Sequence, residues 1–116
     1  MTNEFTQDEW DKLIVTYPAG TPMTGVVKNQ QQYGVWVTLD ELPEVPALLE
    51  IIHFEAIETT PNQKLTFPGS FPAVGKQISC RVLAWCEFPK DVRLTQLSHL
   101  DWSHERFLHE QEGDDV

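Results

Sequence analysis

The stretch GVVKNQQQYGVWVTL, residues 25–39, contains two apolar segments separated by a polar one. In its second half, Val35 and Val37 alternate with Trp36 and Thr38, which is typical of a strand that buries one face. The short polar segment between the two halves is typical of a turn. The stretch therefore predicts a pair of strands with an aliphatic inner face.

Two aromatic side chains stand in this predicted pair of strands, Tyr33 and Trp36. In ideal alternation they would lie on opposite faces, because they are three residues apart. They share the outer face if the pleat slips by one residue between them, and Gly34 is where a β-bulge would produce that slip. Exposed rings on a sheet are a stacking platform for unpaired bases, so we predict that Tyr33 and Trp36 stack nucleobases.

Four segments, taken in order, resemble the RNA-binding domain that is repeated in ribosomal protein S-one. They are Gly25-x-Val27 followed by YGVWV at 33–37, ALLEI at 47–51, VGKQISCRVL at 74–83 and VRLT at 92–95. The resemblance covers about residues 20–97. It implies an all-β protein with flanking helices, built on a five-stranded OB-fold barrel that binds single-stranded RNA across strands two and three.

Both ends of the chain carry signals for helices that flank the barrel. Residues 5–10, FTQDEW, contain a capping box from Thr6 to Glu9, which predicts a helix from Gln7 to about residue 16 that covers one end of the barrel. Residues 97–102, LSHLDW, repeat this pattern and predict a helix from about residue 99 to residue 111, before an acidic tail. We therefore divide the chain into a helical extension (1–19), the barrel (20–97), and a C-terminal helix with its tail (98–116).

Within the barrel, apolar periodicity predicts the limits of the strands and their buried side chains. Strand one begins after Pro22, strand two passes through residues 34–39, and the remaining strands cover residues 47–54, 74–86 and 92–96. Alternation in strand four predicts that Trp85 faces outward. The predicted core consists of Val26, Val35, Val37, Ile51, Ile78, Val82, Val92 and Leu94.

The formal net charge of −10 is unfavourable for a nucleic-acid binder, because contacts with phosphates need Lys and Arg. The charge is concentrated outside the barrel, however. Residues 20–97 hold six basic and eight acidic side chains, whereas residues 98–116 hold one basic and six acidic. Lys28, Arg81 and Arg93 are predicted to point outward, and we predict that they contact the RNA backbone.

Glu50 departs from the pattern of the resembling family, which commonly has a His or another aromatic residue at the matching position. A carboxylate at the centre of a phosphate-binding face repels the ligand. The connection DELPEVP, residues 40–46, adds three carboxylates that we expect beside the rings. Two hypotheses follow: a module that binds single-stranded RNA, or an acidic protein-interaction module that has lost RNA binding and docks a basic protein or ribonucleoprotein.

Other functional classes find little support in the sequence. There is no recognisable catalytic constellation and no Gly-rich phosphate loop, so we predict neither enzyme activity nor a cofactor. Cys80 and Cys86 lie on one predicted strand, about 20 Å apart, which is too far for a disulfide, and their spacing does not fit a zinc site. No apolar run is long enough for a membrane span and the N-terminus lacks a signal-peptide pattern, so we expect a cytoplasmic protein.

Overall fold

The computed structural model describes residues 5–98. A first helix is followed by five strands: α1 Gln7–Thr16, β1 Pro22–Gln31, β2 Gly34–Leu39, β3 Ala47–Glu50, β4 Gln77–Glu87 and β5 Lys90–Thr95. A 3-10 helix, Ile51–His53, and a one-turn helix α2, Ala56–Thr59, lie between β3 and β4. Among residues 5–98, no helix has the length and apolar character needed to cross a membrane. The predicted C-terminal helix and acidic tail fall outside the described residues.

The five strands close into a barrel in the order β1-β2-β3-β5-β4. Every neighbouring pair is antiparallel except β3 and β5, which run parallel. Closure leaves no unpaired edge strand in the sheet. The predicted fold class, an all-β five-stranded OB-fold barrel with a flanking helix, is confirmed.

Aliphatic side chains fill the interior of the barrel. Six of the eight predicted core residues are buried: Val35, Val37, Ile78, Val82, Val92 and Leu94. The prediction for Val26 is wrong, since its side chain is exposed and the adjacent Val27 is buried instead. In β1 the inward positions are Met23, Gly25 and Val27, so Val26 faces outward with the polar Thr24.

The third strand is shorter than predicted, because β3 ends at Glu50 and the 3-10 helix replaces the rest of the segment. Ile51 is consequently half-buried and packs against the rim of the core. Beyond the 3-10 helix, Phe54 is buried and meets Phe71 edge-on, with ring centroids 5.0 Å apart. The segment between β3 and β4 therefore closes one end of the barrel with aromatic side chains.

The predicted orientation of Trp85 is also wrong. The register between β4 and β5 shifts between Val82 and Ala84, which reverses the alternation in the second half of β4. Trp85 therefore packs against the core, and its indole N–H donates to the carbonyl of Tyr17 at 2.8 Å. This bulge turns Trp85 toward helix α1.

Helix α1 begins at Gln7 and ends at Thr16, as predicted. Both hydrogen bonds of the capping box are formed: the Glu9 amide donates to Thr6 Oγ1 (3.1 Å) and the Thr6 amide donates to Glu9 Oε1 (2.9 Å). Trp10 is fully buried, with its ring centroid 5.4 Å from that of Phe5 and 5.3 Å from that of Trp85. The helix is thus fixed to the barrel through one large indole.

Cys80 and Cys86 both lie on β4 and are free thiols. Burial raises the pKa of Cys80 to about 12, and burial together with the Asp91 carboxylate raises the pKa of Cys86. Both thiols are therefore protonated at neutral pH, which makes them poor nucleophiles and poor metal ligands. In the part of the chain that the structure describes, no cluster of three or more His, Cys, Asp or Glu residues is arranged to hold a metal ion.

Gly34 is required by the close approach of β2 to β3. A Cβ atom at this position would lie 2.3 Å from the Leu49 carbonyl oxygen and 2.8 Å from Glu50 Cα. We expect Gly34→Ala to lower the free energy of unfolding by about 2 kcal/mol, because the backbones of the two strands must separate. Urea unfolding measures this loss. Gly69→Ala is the matched control, since a Cβ there meets no atom within 4 Å; an equal loss from both variants would contradict this account.

Candidate nucleic-acid interface

Tyr33 and Trp36 lie side by side on the outer wall of the barrel. Tyr33 belongs to the turn between β1 and β2 and is 50% exposed, whereas Trp36 lies within β2 and is half-buried. The indole Nε1–H of Trp36 donates to Tyr33 Oη at 3.1 Å. This bond fixes the edge of one ring against the edge of the other, so both rings are held on one face of the sheet.

The two rings reach the same face by a different route from the predicted one. No slip occurs at Gly34: β2 alternates regularly, with Val35 and Val37 inward and Trp36 outward. Tyr33 precedes the strand and is free of its alternation because it lies in the turn. The irregularity lies in the partner strand, where the register of β1 shifts between Val27 and Asn29 and leaves Lys28 as the extra residue.

Leu48 supplies an apolar floor beside the rings. It pairs with Trp36 of β2 on one side and with Arg93 of β5 on the other. Its neighbours Ala47 and Leu49 belong to the core, so Leu48 points to the outer face, yet it is buried. Leu48 is thus covered by its neighbours, and the rings of Tyr33 and Trp36 are the apolar surface that a ligand can reach on this face.

Glu50 and Arg93, both predicted site residues, lie on the same face and form an ion pair. Arg93 Nη1 is 3.7 Å from Glu50 Oε2, and Arg93 Nε donates to Asp91 Oδ1 at 3.1 Å. Burial lowers the pKa of Arg93, but the hydrogen bond and the charge of Asp91 outweigh it and raise that pKa overall. Glu50 is therefore not an isolated negative charge, and the guanidinium of Arg93 is already engaged. The role of Arg93 as a phosphate partner stays a prediction.

Lys28 stands at the mouth of a groove that begins beside Trp36. The groove measures about 320 Å³ and lies between the bulge of β1, the middle of β2, loop residues 43–46 and the start of β3. Lys28 is exposed at its rim, and Glu44 lines the same groove. A phosphate group that follows a base stacked on Trp36 would thus meet one ammonium group and one carboxylate.

Arg81 is not brought together with the rings. It lies on β4, paired with Pro22 of β1 and Thr95 of β5, and β4 is not a neighbour of β2 or β3 in the barrel. Arg81 lines a separate groove of about 570 Å³, together with Glu41 and Glu55. The side chain is exposed, as predicted, but it belongs to another part of the barrel wall.

The three carboxylates of the 40–46 connection are also separated, contrary to the prediction. Glu44 lines the groove beside Trp36, whereas Glu41 lines the groove of Arg81. Asp40 Oδ2 accepts a hydrogen bond from Thr24 Oγ1 at 2.6 Å. The rings therefore face fewer negative charges than the sequence suggested.

Two residues of this face were missed in the sequence, Leu48 and Asp91. The run Ala47-Leu48-Leu49 places apolar side chains on both faces of a strand, which indicates that the outer face is also covered. Asp91 and Arg93 are two residues apart on one strand and so share a face. Both signals are present in the sequence. They predict that Asp91 pairs with Arg93 and that Leu48 is an apolar residue on the outer face.

No protein-family model matches the sequence, and no curated protein matches it. Solved structures do share the fold. A chain of the a/eIF2alpha–aDim2p–rRNA complex from Pyrococcus horikoshii OT3 superimposes with a TM-score of 0.57 at 18% identity, covering 83% of this chain and 54% of that one. The intact alpha subunit of aIF2 from Pyrococcus abyssi gives a TM-score of 0.56 at 18% identity, covering 83% and 35%.

RNase R from Mycoplasma genitalium, in complex with ribose methylated single-stranded RNA, gives a TM-score of 0.56 at 14% identity. The match covers 73% of this chain and 14% of that one. This chain therefore spans between 14% and 54% of the length of these three structures. The likenesses show the fold: the barrel is a five-stranded OB fold, the fold that the resemblance in the sequence implied.

Proposed function

We propose that the protein binds single-stranded RNA across the face formed by Tyr33 and Trp36, beside the buried Leu48. The observation that carries this proposal is the hydrogen bond between the two rings, which holds both on the outer wall of the barrel in a fixed relation. A base stacked on an aromatic side chain contributes about 1 to 3 kcal/mol of binding free energy, whichever of the four bases it is. Two fixed rings beside an apolar floor therefore offer a platform for neighbouring bases.

The charges around the rings indicate that stacking, more than phosphate contact, supplies the affinity. Arg93 is engaged by Asp91 and Glu50, and Arg81 lies in another groove. This leaves Lys28 as the candidate phosphate partner beside Trp36. Two stacked bases with one such contact correspond to a dissociation constant of about micromolar or weaker.

The structural neighbours support RNA as the ligand class. One is a complex that contains rRNA, and another holds a single-stranded RNA. The match to RNase R covers a small share of that chain, so the likeness is to one module of a larger protein. We accordingly infer a binding module for this chain and not an enzyme, since fold alone does not carry catalytic function.

A fluorescence titration tests the proposal. Addition of a single-stranded RNA of about ten nucleotides, within the site sizes of OB folds, should quench tryptophan emission in a saturable way. Raising the salt from about 50 to about 200 mM should weaken binding only about threefold, because one phosphate contact releases few counterions. Trp36→Phe is the control, since it keeps a ring and removes the reporting indole. The absence of a saturable signal, or equal quenching in the control, would overturn the proposal.

A second candidate function is an acidic protein-interaction module. The observation that favours it is the charge of the chain, −10, together with the carboxylates of Glu44 and Glu50 near the rings. A basic protein or ribonucleoprotein would then dock on the same face by charge complementarity. In that case a Lys- and Arg-rich peptide should bind the chain and oligouridine should not, and Glu50→Gln should weaken binding of the peptide.

A further inference from the structure

We propose that Glu50 selects guanine among the bases that stack on Tyr33 and Trp36. This inference rests on the proposed RNA binding and adds a preference to a face that would otherwise accept any base. It gives the carboxylate at the edge of the platform a direct role in recognition.

The backbone places Glu50 at the edge of the ring pair. Glu50 pairs with Gly34, which lies in sequence between Tyr33 and Trp36 and carries no side chain. The amide of Ile51, the next residue, donates to the carbonyl of Tyr33 at 2.9 Å, which holds the turn against the end of β3. Since Glu50 follows the core residue Leu49, it points to the same outer face as Trp36. A base stacked on the rings therefore has its edge near this carboxylate.

The carboxylate of Glu50 is oriented but not enclosed. Arg93 Nη1 approaches Oε2 at 3.7 Å, and Arg93 is itself anchored by Asp91, a carboxylate that is only 2% exposed. The Glu50 side chain keeps 36% of its surface exposed. Its Oε1 atom makes no hydrogen bond with any of residues 5–98. The guanidinium approaches Oε2 at ion-pair distance, beyond hydrogen-bond reach, so both oxygens of the carboxylate keep the capacity to accept hydrogen bonds from a ligand.

The chemistry of the base edges favours guanine at such a group. An ionised carboxylate only accepts hydrogen bonds. The Watson–Crick edge of guanine presents two adjacent donors, N1–H and the N2 amino group. Adenine and cytosine present one amino group beside a ring nitrogen that accepts, and uracil presents one N–H between two carbonyl oxygens. Guanine is therefore the base that can approach a carboxylate with donors side by side.

Arg93 reduces the electrostatic cost of this arrangement. A lone carboxylate on a phosphate-binding face repels every RNA equally, whereas a carboxylate compensated by a guanidinium repels the backbone less. The donors of guanine then supply a favourable term that the other bases lack. A site that hydrogen-bonds its ligand discriminates strongly against analogues that leave its polar groups unpaired.

The test compares oligouridines of about six nucleotides that carry one central guanosine, inosine or adenosine, a length suited to one OB fold. Guanosine should bind about tenfold more tightly than adenosine, the range expected for a pair of directed hydrogen bonds. Inosine keeps N1–H and lacks the amino group, so it should fall between the two. This comparison needs no variant of the protein.

Glu50→Gln should remove the preference, since it keeps the size of the side chain and replaces one acceptor oxygen by a donor. Affinity for the guanosine RNA should fall, and affinity for plain oligouridine should rise because a negative charge is lost. Glu41→Gln is the matched control: it makes the same change of charge in the groove of Arg81 and should leave the preference intact.

The outcomes separate this inference from the proposed function. If none of the RNAs binds, both fail. If all bind with equal affinity, RNA binding stands and the role of Glu50 is overturned. If guanosine is preferred by the wild-type chain and equally by Glu50→Gln, another group reads the base and the inference is wrong.

Discussion

Trp10→Ala should lower the free energy of unfolding by about 3 to 5 kcal/mol, the range seen when a large buried aromatic side chain is removed from a core. The indole is fully buried between α1 and the barrel. Its ring contacts that of Phe5, which precedes the helix, and meets the ring of Trp85 at an interplanar angle of 90°. Its removal leaves a cavity that the rigid barrel wall cannot fill, because Trp85 is tied to the Tyr17 carbonyl.

Urea unfolding followed by circular dichroism measures this effect. Val15→Ala is the control, because Val15 lies on the same helix and is 79% exposed, so it should change stability by less than about 0.5 kcal/mol. A loss of under about 1 kcal/mol for Trp10→Ala would show that α1 does not unfold together with the barrel. The two variants together therefore test whether helix and barrel form one cooperative unit.

Trp36→Ala should weaken binding of single-stranded RNA by about tenfold to a hundredfold, which corresponds to the loss of one stacked base. The substitution also deprives Tyr33 of its hydrogen-bond partner, so the remaining ring loses its fixed orientation. Both effects act in the same direction. Fluorescence anisotropy with an end-labelled RNA measures the change in affinity without relying on tryptophan emission.

Phe88→Ala is the control for this second variant. Phe88 is 93% exposed in the turn between β4 and β5, so its removal takes away a ring that is more accessible than Trp36 from another part of the surface. We expect affinity to change by less than about twofold, as for contacts outside an interface core. Equal loss of affinity in the two variants would place the RNA elsewhere, or show that any exposed ring contributes.

Helix α1 could be predicted from the sequence almost to the residue, because its signals are local. The capping box of Thr6 and Glu9 lies within six residues of chain, together with Phe5 and Trp10, whose contact across the start of the helix is a hydrophobic staple. The strands were predicted as elements, but not their irregularities. A β-bulge depends on how two strands pair across the barrel, so neither Lys28 nor Leu83 carries a sign of it in its immediate neighbours.

The site was predicted in part for a related physical reason. Alternation tells whether a side chain points inward or outward, but it does not tell on which side of a closed barrel it lies. Lys28 and Arg81 both point outward, yet the strand order of the barrel places them in different grooves. In the same way, alternation does not show that the guanidinium of Arg93 reaches Glu50 from the neighbouring strand β5. The repulsion of phosphate by Glu50 is therefore weaker than the sequence alone suggests.

The central claim, that RNA lies on the Tyr33–Trp36 face, is tested most directly by an NMR titration that follows backbone amides and tryptophan indole N–H signals. Among the described residues, the indole signal of Trp36 reports the proposed face, whereas Trp10 and Trp85 contact each other beside α1. With added single-stranded RNA, the signals of the Trp36 indole and of the amides in β2 and β3 should shift in a saturable way. The signal of the buried Trp10 indole should not shift. Shifts centred on the groove of Arg81, or a Trp36 signal that does not move at saturation, would contradict the account.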